Sequence, residues 1–240
     1  MRVATPAAPP AGSATESSDG VLFLGTNLNV YQGEFILMAT PFLEAVKARR
    51  TYYTISKERV VSDECIQGIV SDALKHSPSA FNSQSARAVL LLGEQHDRLW
   101  DIVKAELERI VPVESFKATE DKINNAFRSG YGTVLFFEDS SVVEGLQQQF
   151  PTYRDAFPMF SNHSAGMLQI VVWTALEEAG LGASLQHYNP VIDNAVKEEW
   201  NIAVNWKLVA QMPFGKPVGE AEPKEFQPLA HRYKVYNDIT

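Results

Sequence analysis

The sequence predicts a fold of mixed α and β type, arranged around a single sheet. Three observations lead there. Short apolar runs that read as strands, at 88–92, 133–137 and 205–212, are separated along the chain by segments of helical periodicity. The 240 residues are 45% hydrophobic, enough for one sizeable domain or one domain with an extension. No internal repeat is visible, and no composition shift after residue 38 marks a second domain.

Residues 1–20 are rich in Pro, Ala, Ser and Gly and poor in large apolar side chains, a disorder-like composition. Residues 21–37 carry more apolar side chains, and Met38-Ala39-Thr40 looks like a second natural start. Residues 1–37 are therefore expected to be a disordered N-terminal extension, and residues 38–240 the folded domain. The extension lacks the continuous apolar core of a secretory signal and the repeated basic residues of a presequence.

Thr40-Pro41 opens the first helix, with Thr as N-cap and Pro at the first helical position. Phe42, Leu43 and Val46 form its apolar face, and it runs towards Arg49. Arg49-Arg50-Thr51-Tyr52-Tyr53 follows. Two guanidinium groups beside a hydroxyl can grip a phosphate, and cations equally favour a helix C-terminus through its dipole. Ser62 begins a second helix with Asp63 and Glu64 in its first turn; Ile66, Ile69, Val70, Ala73 and Leu74 keep helical spacing up to Lys75-His76.

Ser77 to Ser85 is small, polar and turn-forming, and its amides and hydroxyls suit a ligand with many hydrogen-bonding edges. It feeds into Ala88-Val89-Leu90-Leu91-Leu92, which reads as a strand buried on both faces. A loop so anchored is rigid enough to bind, and it is equally an ordinary connection rich in Ser and Asn. Helices are expected from Glu94 to Ile110 and around 119–129, then a buried strand at 133–137. Ser141-x-x-Glu144 has the capping-box pattern of another helix start.

Residues 147–160 are aromatic and punctuated by proline, the composition of a lid or a packed loop. The helix expected at 161–179 is apolar all round, which implies burial in a domain centre or a subunit interface. Gly180-Leu181-Gly182 caps it, 183–186 is short and strand-like, and Asn189-Pro190 starts a helix ending near Trp200. Asn205 to Met212 is a strand, 213–217 a loop, and 218–240 an irregular tail expected to wrap over something.

Several chemistries are poorly supported. A net charge of -8 without a basic run argues against nucleic acid and anionic membranes as partners. A single cysteine, Cys65, rules out an internal disulfide, and five scattered histidines offer no metal-ligand pair. No glycine-rich dinucleotide fingerprint, P-loop or nucleophile elbow is present. No apolar run approaches the roughly 20 residues that span a bilayer.

Three pieces share one pattern: Arg-x-Thr at the end of the first helix, Pro78-Ser79-x-x-Asn82-Ser83-Gln84 before a strand, and an apolar helix ending in Gly180-Leu181-Gly182-Ala183. An FGKP segment and Pro223-Lys224 follow. In order and spacing, over residues 38–240, they resemble the oxygen-insensitive FMN-dependent nitroreductase family. The likeness is nearest to its fatty-acid-repression-mutant-like branch in fungi and some bacteria. The resemblance implies an α+β nitroreductase-like fold, with a central mixed, mainly antiparallel sheet flanked by helices. It also implies a homodimer with exchange of C-terminal tails and FMN at the interface, contacted by both subunits.

The resemblance further implies that Arg49, Thr51 and the adjacent Arg50 hold the FMN phosphate, with Lys224 as a further cation. Asn82, with Ser83 and Gln84, meets the pyrimidine edge of the flavin ring. Leu185 and Gln186 approach flavin N5 through a backbone N–H. Tyr53 stands near flavin N1, where many members carry Lys or Arg. Ser85-Ala86 replaces a more usual Pro-Trp, and Phe226 replaces a second basic residue, for which Lys216 is the available substitute. No catalytic side chain is assigned. The implied activity is ping-pong transfer from NAD(P)H to small aromatic acceptors, nitroaromatic or quinone-type. Its implied setting is cytoplasmic, with the nucleus as a second location, in an oxidative-stress or lipid-linked redox response. The rival is a flavin-binding sensor with little turnover, and a cofactor-free structural dimer is a third reading.

Overall fold

The computed structural model describes residues 30–31, 34–35 and 41–237. Strands β1 (Val30–Tyr31) and β2 (Glu34–Phe35) pair with each other in antiparallel fashion. The remainder of the expected extension, the boundary at Met38 and the Thr40 cap lie outside the described residues. The domain then runs α1 (Pro41–Ala48), β3 (Ile55–Ser56), α2 (Asp63–His76), β4 (Ala86–Leu92), α3 (Glu94–Glu108), α4 (Val113–Ala126) and β5 (Gly132–Asp139). After these come α5 (Ser140–Gln149), α6 (Phe157–Glu178), β6 (Gly182–Ala183), α7 (Asp193–Glu199) and β7 (Trp206–Pro217).

All eight residues of β5 are buried. Side chains alternate across a strand, so an unbroken apolar run must be covered on both faces. Val134 and Phe136 point into a core with Ile66, Val70 and Ala73 of α2 and Leu168, Val172 and Leu176 of α6. Leu135 and Phe137 point into a second core with Leu99, Trp100 and Val103 of α3, Ile123 of α4 and Val196 of α7. The sheet order is β3-β7-β5-β4, with β6 also on β7, and every ladder is antiparallel. A parallel bridge, Thr51 to Ala183, makes the arrangement mixed. Buried Thr133 is satisfied by His96 Nδ1 at 2.8 Å and by Trp100 Nε1 at 3.1 Å. Burial lowers the His96 pKa to about 4, which keeps the imidazole neutral.

The structure corrects several sequence expectations. The FGKP segment continues β7 instead of forming a loop, because Gly215 lets three backbones converge. A Cβ there would lie 2.5 Å from the Ser56 carbonyl oxygen and 3.0 Å from the Tyr131 nitrogen. Among the described residues β4 pairs only with β5, so it is an edge strand there, and Leu91 is its one buried residue. α4 starts at Val113, directly after Pro112, well before the expected 119–129. α6 begins four residues early, at Phe157, and α7 begins at Asp193. α3 ends at Glu108, leaving Ile110 beyond the helix and exposed.

The α5 cap is Asp139 rather than Ser141, and this residue ties three strands together. Its Oδ1 accepts from the Ser141 N–H at 3.1 Å, the Ser141 hydroxyl at 2.6 Å and the Asn205 amide at 2.6 Å. Its Oδ2 accepts from Arg87 of β4 at 2.8 Å. Burial alone would raise the Asp139 pKa, but these donors outweigh it and hold the carboxyl below its usual value. A carboxyl so held contributes stability above the ordinary carboxylate range and loses it as pH falls through the folded value. Asp139→Asn keeps a capping side chain but loses the charge, so it should cost roughly 1–3 kcal/mol near neutral pH. The penalty should shrink in acid, as pH falls below the ordinary carboxylate range and the native carboxyl also protonates. Urea unfolding at neutral and at acid pH checks this; a penalty independent of pH would refute it.

Candidate functional site

The segment after α1 is pinned to the turn that follows α6. Thr51 bridges Ala183, and the Tyr52 N–H donates to the Ala183 carbonyl at 3.0 Å. Gly182 allows this approach, since a Cβ there would sit 2.8 Å from the Tyr52 ring. The Arg49 guanidinium consequently lies over Trp173, 4.4 Å from the ring centroid. Its Nε is buried and has no hydrogen-bond partner among the described residues. Burial lowers the Arg49 pKa; nearby Glu177 partly offsets this and Arg50 adds to it. Glu177 is pushed up by burial against the pull of Arg49, and its Oε2 also has no partner among the described residues.

Arg50 donates to the carbonyl of Glu222, which holds the start of the tail and places Lys224 two residues beyond that contact. Lys224 Nζ lies 5.2 Å from the Phe226 ring centroid. Arg49, Arg50, Thr51 and the approach of Lys224 therefore belong to one end of α6. Lys216 does not join them: its ammonium is paired with Glu58 at 2.6 Å, and its strand lies against Ser56.

Beyond Ala183 the chain follows β7. The Ser184 N–H donates to the Pro213 carbonyl, and Gln186 exchanges both backbone bonds with Gln211 at 2.7 and 2.9 Å. Amides alternate in direction along an extended chain, so the Leu185 N–H is directed away from β7 while that of Gln186 is committed to it. The Gln186 side chain donates to Ser184 Oγ at 3.0 Å. Tyr53 packs edge-on against Phe127 at 6.3 Å, and Phe127 in turn meets Tyr188 at 6.2 Å. Burial pushes the Tyr188 hydroxyl up to about 12, with Tyr53 adding a little. Tyr53, Phe127 and Tyr188 form an aromatic wall, and Lys122 Nζ stands 5.9 Å from the Phe127 ring centroid.

The third part is the loop before β4. Phe81, Asn82 and Gln84 have φ of 57°, 49° and 48°. This region is tolerated by Asn but costs other L-residues about 1–2 kcal/mol each. The strain is held in place by a set of bonds. Ser79 Oγ accepts from the Gln84 N–H at 3.0 Å, and Arg87 donates to the Gln84 carbonyl at 2.8 Å. Ser164 of α6 accepts from the Ala80 N–H at 3.4 Å. The Phe81 ring packs on Phe150 at 5.0 Å and Phe157 at 5.3 Å, so the aromatic stretch 147–160 supports this loop. The side chains of Asn82 and Gln84 are left exposed, and Ser83 Oγ lies 3.4 Å from Ser85 Oγ.

The nitroreductase family pattern matches residues 46–216. The chain belongs to the nitroreductase family. It is 39% identical to the nitroreductase FRM2 of Saccharomyces cerevisiae over 187 residues, covering 77% of this chain and 92% of that protein. Among solved structures it is similar to nitroreductase CinD of Lactococcus lactis in complex with nicotinic acid. That match has 42% identity, a TM-score of 0.76 and coverage of 82% of this chain and 100% of CinD. The same protein in complex with 4-nitrophenol matches at 42% identity and a TM-score of 0.74 over the same shares. A Desulfovibrio desulfuricans structure in complex with FMN shares the fold, at 18% identity and a TM-score of 0.61 over 83% of this chain and 99% of that one.

For a nitroreductase the distribution of these residues within one chain matters. Arg49, Arg50, Thr51, Tyr53, Leu185 and Gln186 gather around the turn after α6. The loop that carries Asn82, Ser83 and Gln84 is tied through Ala80 to Ser164, nine residues before Trp173 on α6 and so about 13 Å along its axis. Sequence reasoning missed Trp173, Phe127, Tyr188, Lys122 and Ser164. Trp173 and Glu177 stand four apart on a helix, a spacing that placed them on one face, but both were absorbed into the general apolarity of α6.

The strained loop yields a direct test. Gln84→Val places a β-branched residue at φ 48° and should cost roughly 1–2 kcal/mol. Gln84→Gly should match or exceed the wild-type melting temperature. Equal melting temperatures for the two variants would show that this backbone conformation is not enforced.

Proposed function

We propose that this nitroreductase-family chain binds FMN and uses it to carry electrons from NAD(P)H to nitroaromatic or quinone-type acceptors. The observation that carries the reading is Arg49: a half-buried guanidinium, stacked on Trp173, whose Nε has no partner among the described residues. A buried donor without an acceptor is costly, and a phosphate oxygen supplies the missing bond in the preferred planar geometry. Its neighbours Arg50 and Thr51 and the approaching Lys224 fit the same dianion. The ligands in the CinD structures, an aromatic carboxylate and a nitrophenol, support a flat aromatic acceptor for this chain as well.

When bound, the flavin would supply the two-electron chemistry, and the protein's part is binding, orientation and electrostatics. In this proposal Arg49, Arg50 and Lys224 neutralise the phosphate, and the Thr51 hydroxyl donates to it. The Leu185 N–H is free of β7 and serves as the ring donor, while Gln186 anchors the segment to Gln211. Tyr53, Phe127 and Tyr188 bound the ring edge. Tyr53 brings no charge to that edge, and Lys122 above Phe127 is the cation nearest to replacing it. Asn82, with Ser83 and Gln84, offers its amide from a backbone strained into position. Tyr53 also favours a second reading, a flavin-binding sensor with little turnover, because a missing cation near the ring disfavours the anionic reduced state.

The proposal also includes a homodimer, with residues 38–240 as its flavin domain. Met167, Ile170 and Val171 on α6 are more than a third exposed in the single chain, as are Phe226, Leu229, Tyr233 and Tyr236 of the tail. Apolar surface of this extent on a long helix and a tail calls for cover by a second copy. A second copy would also bring an Asn82 loop to the Arg49 end of its partner. No helix among the described residues is long and apolar enough to cross a membrane. The cytoplasm, or the nucleus, is the proposed setting.

Arg49→Ala should cost about 2–4 kcal/mol of FMN affinity, at about 1.4 kcal/mol per factor of ten in dissociation constant. Arg59→Ala, on an exposed connector, is the matched control. Titrating FMN into both apo-proteins by fluorescence quenching decides the matter, and equal dissociation constants would overturn the phosphate assignment. NAD(P)H oxidation with a nitroaromatic acceptor on the flavin-loaded control separates the enzyme from the sensor.

The shared site has its own test. If each site takes Arg49 from one subunit and Asn82 from the other, chains carrying Arg49→Ala mixed with chains carrying Asn82→Ala form heterodimers with one intact site. Remixing the two should restore flavin retention that neither variant shows alone. No restoration would place both residues in the same subunit's site.

A further inference from the structure

A second cavity, about 390 Å³ in volume, lies where β5 and β7 meet α5 and the start of α6. None of Arg49, Thr51, Tyr53, Asn82, Leu185 and Lys224 lines it. Its floor is Glu138. Even-numbered residues of β5 face α6, as Val134 and Phe136 do, so the register that buries those two directs Glu138 into the same layer. Glu138 is 7% exposed, and both carboxylate oxygens are buried without a hydrogen-bond partner among the described residues. Lys207, its cross-strand neighbour on β7, lines the same cavity, but that side chain is exposed and no ion pair joins it to Glu138 among the described residues.

A carboxylate removed from water without partners carries a large penalty unless something neutralises it. The remaining walls show what could do so. Glu144 of α5 adds a second carboxyl, Asn162 and Asn189 add amide oxygens, and Val143 with Val209 gives an apolar side. An orphaned buried anion with a second carboxyl beside it selects a cation with several N–H groups.

We propose that this cavity is a binding site for a small organic cation of the amidine, guanidine or amine class with an apolar body. The charged end pairs with both oxygens of Glu138, and the body rests against Val143 and Val209. The inference stands apart from the flavin reading, since the two sites share no residue named here.

Benzamidine and its neutral isostere benzamide are the probes, titrated calorimetrically into the full chain as purified. Benzamidine should bind at least tenfold more tightly than benzamide, and Glu138→Gln should abolish the difference. Val143→Trp, which fills the cavity while leaving Glu138 in place, should remove benzamidine binding with flavin content unchanged. This second variant decides the question if Glu138→Gln does not fold. The proposal is overturned if wild type binds the two probes equally, which would mean that Lys207 or a proton neutralises Glu138. It is likewise overturned if benzamidine binds Val143→Trp as well as it binds wild type, which would mark simple attraction to an acidic surface.

Discussion

The complete burial of β5 is the constraint on which the rest of the domain depends. A strand with apolar side chains on both faces needs two covering layers, and it must sit between two neighbours to satisfy its own backbone. Its partners β4 and β7 supply those bonds, and α2 with α6 on one side and α3, α4 and α7 on the other supply the cover. Each part of the candidate site attaches to one of these obligatory partners. The Ser79–Ser85 loop is the entry to β4, the 183–188 segment is laid along β7, and Trp173 is on α6. The site is positioned by the packing of the core rather than by bonds of its own.

How much of this the sequence discloses depends on the range of the forces involved. Local signals were readable: Ser62 caps α2 as its side chain suggests, and the apolar runs at 88–92 and 133–137 are strands. Signals decided by tertiary contact were not. Gly215 and Pro217 look like loop formers until the approach of Ser56 and Tyr131 shows why a strand needs glycine there. Ser141 and Glu144 satisfy the capping-box pattern, yet Asp139 takes the cap because Arg87 and Asn205, 52 and 66 residues away, hold its carboxylate in place. Of the site, the hydrogen-bonding residue types near 49–53 and 79–84 could be recognised in the sequence. The aromatic wall could not, because Phe127 and Tyr188 meet only after α4 and α7 have packed.

Several energetic costs also gather in the site regions. Arg49 Nε, Trp173 Nε1, Thr174 Oγ1 and Glu177 Oε2 are buried polar atoms without partners among the described residues, and all belong to α6 or lie against its C-terminal half. The loop at the other end of α6 holds three non-glycine residues in the left-handed region. Each such feature costs on the order of 1–3 kcal/mol. They can persist because other polar groups buried in the neighbouring cores, Thr133 and His96, are fully bonded; Glu138 is the exception on β5.

That asymmetry gives α6 its particular role. One face of the helix, through Leu168, Val172 and Leu176, is fixed to the sheet and cannot shift without opening the core. Its N-terminal half holds the strained loop through Ser164, and its C-terminal half carries Trp173 beneath Arg49. Nine residues of rigid helix therefore set the separation between the two groups of candidate side chains. A ligand that needs both groups at once must be long enough to span that distance or must be held between two copies of the chain. The exposed Met167, Ile170 and Val171 lie between those two points on the helix, where a second copy would have to pack. The apolarity of α6 and the division of the candidate site then have a common cause: one helix serves both as the wall of the core and as the ruler between the two groups of candidate side chains.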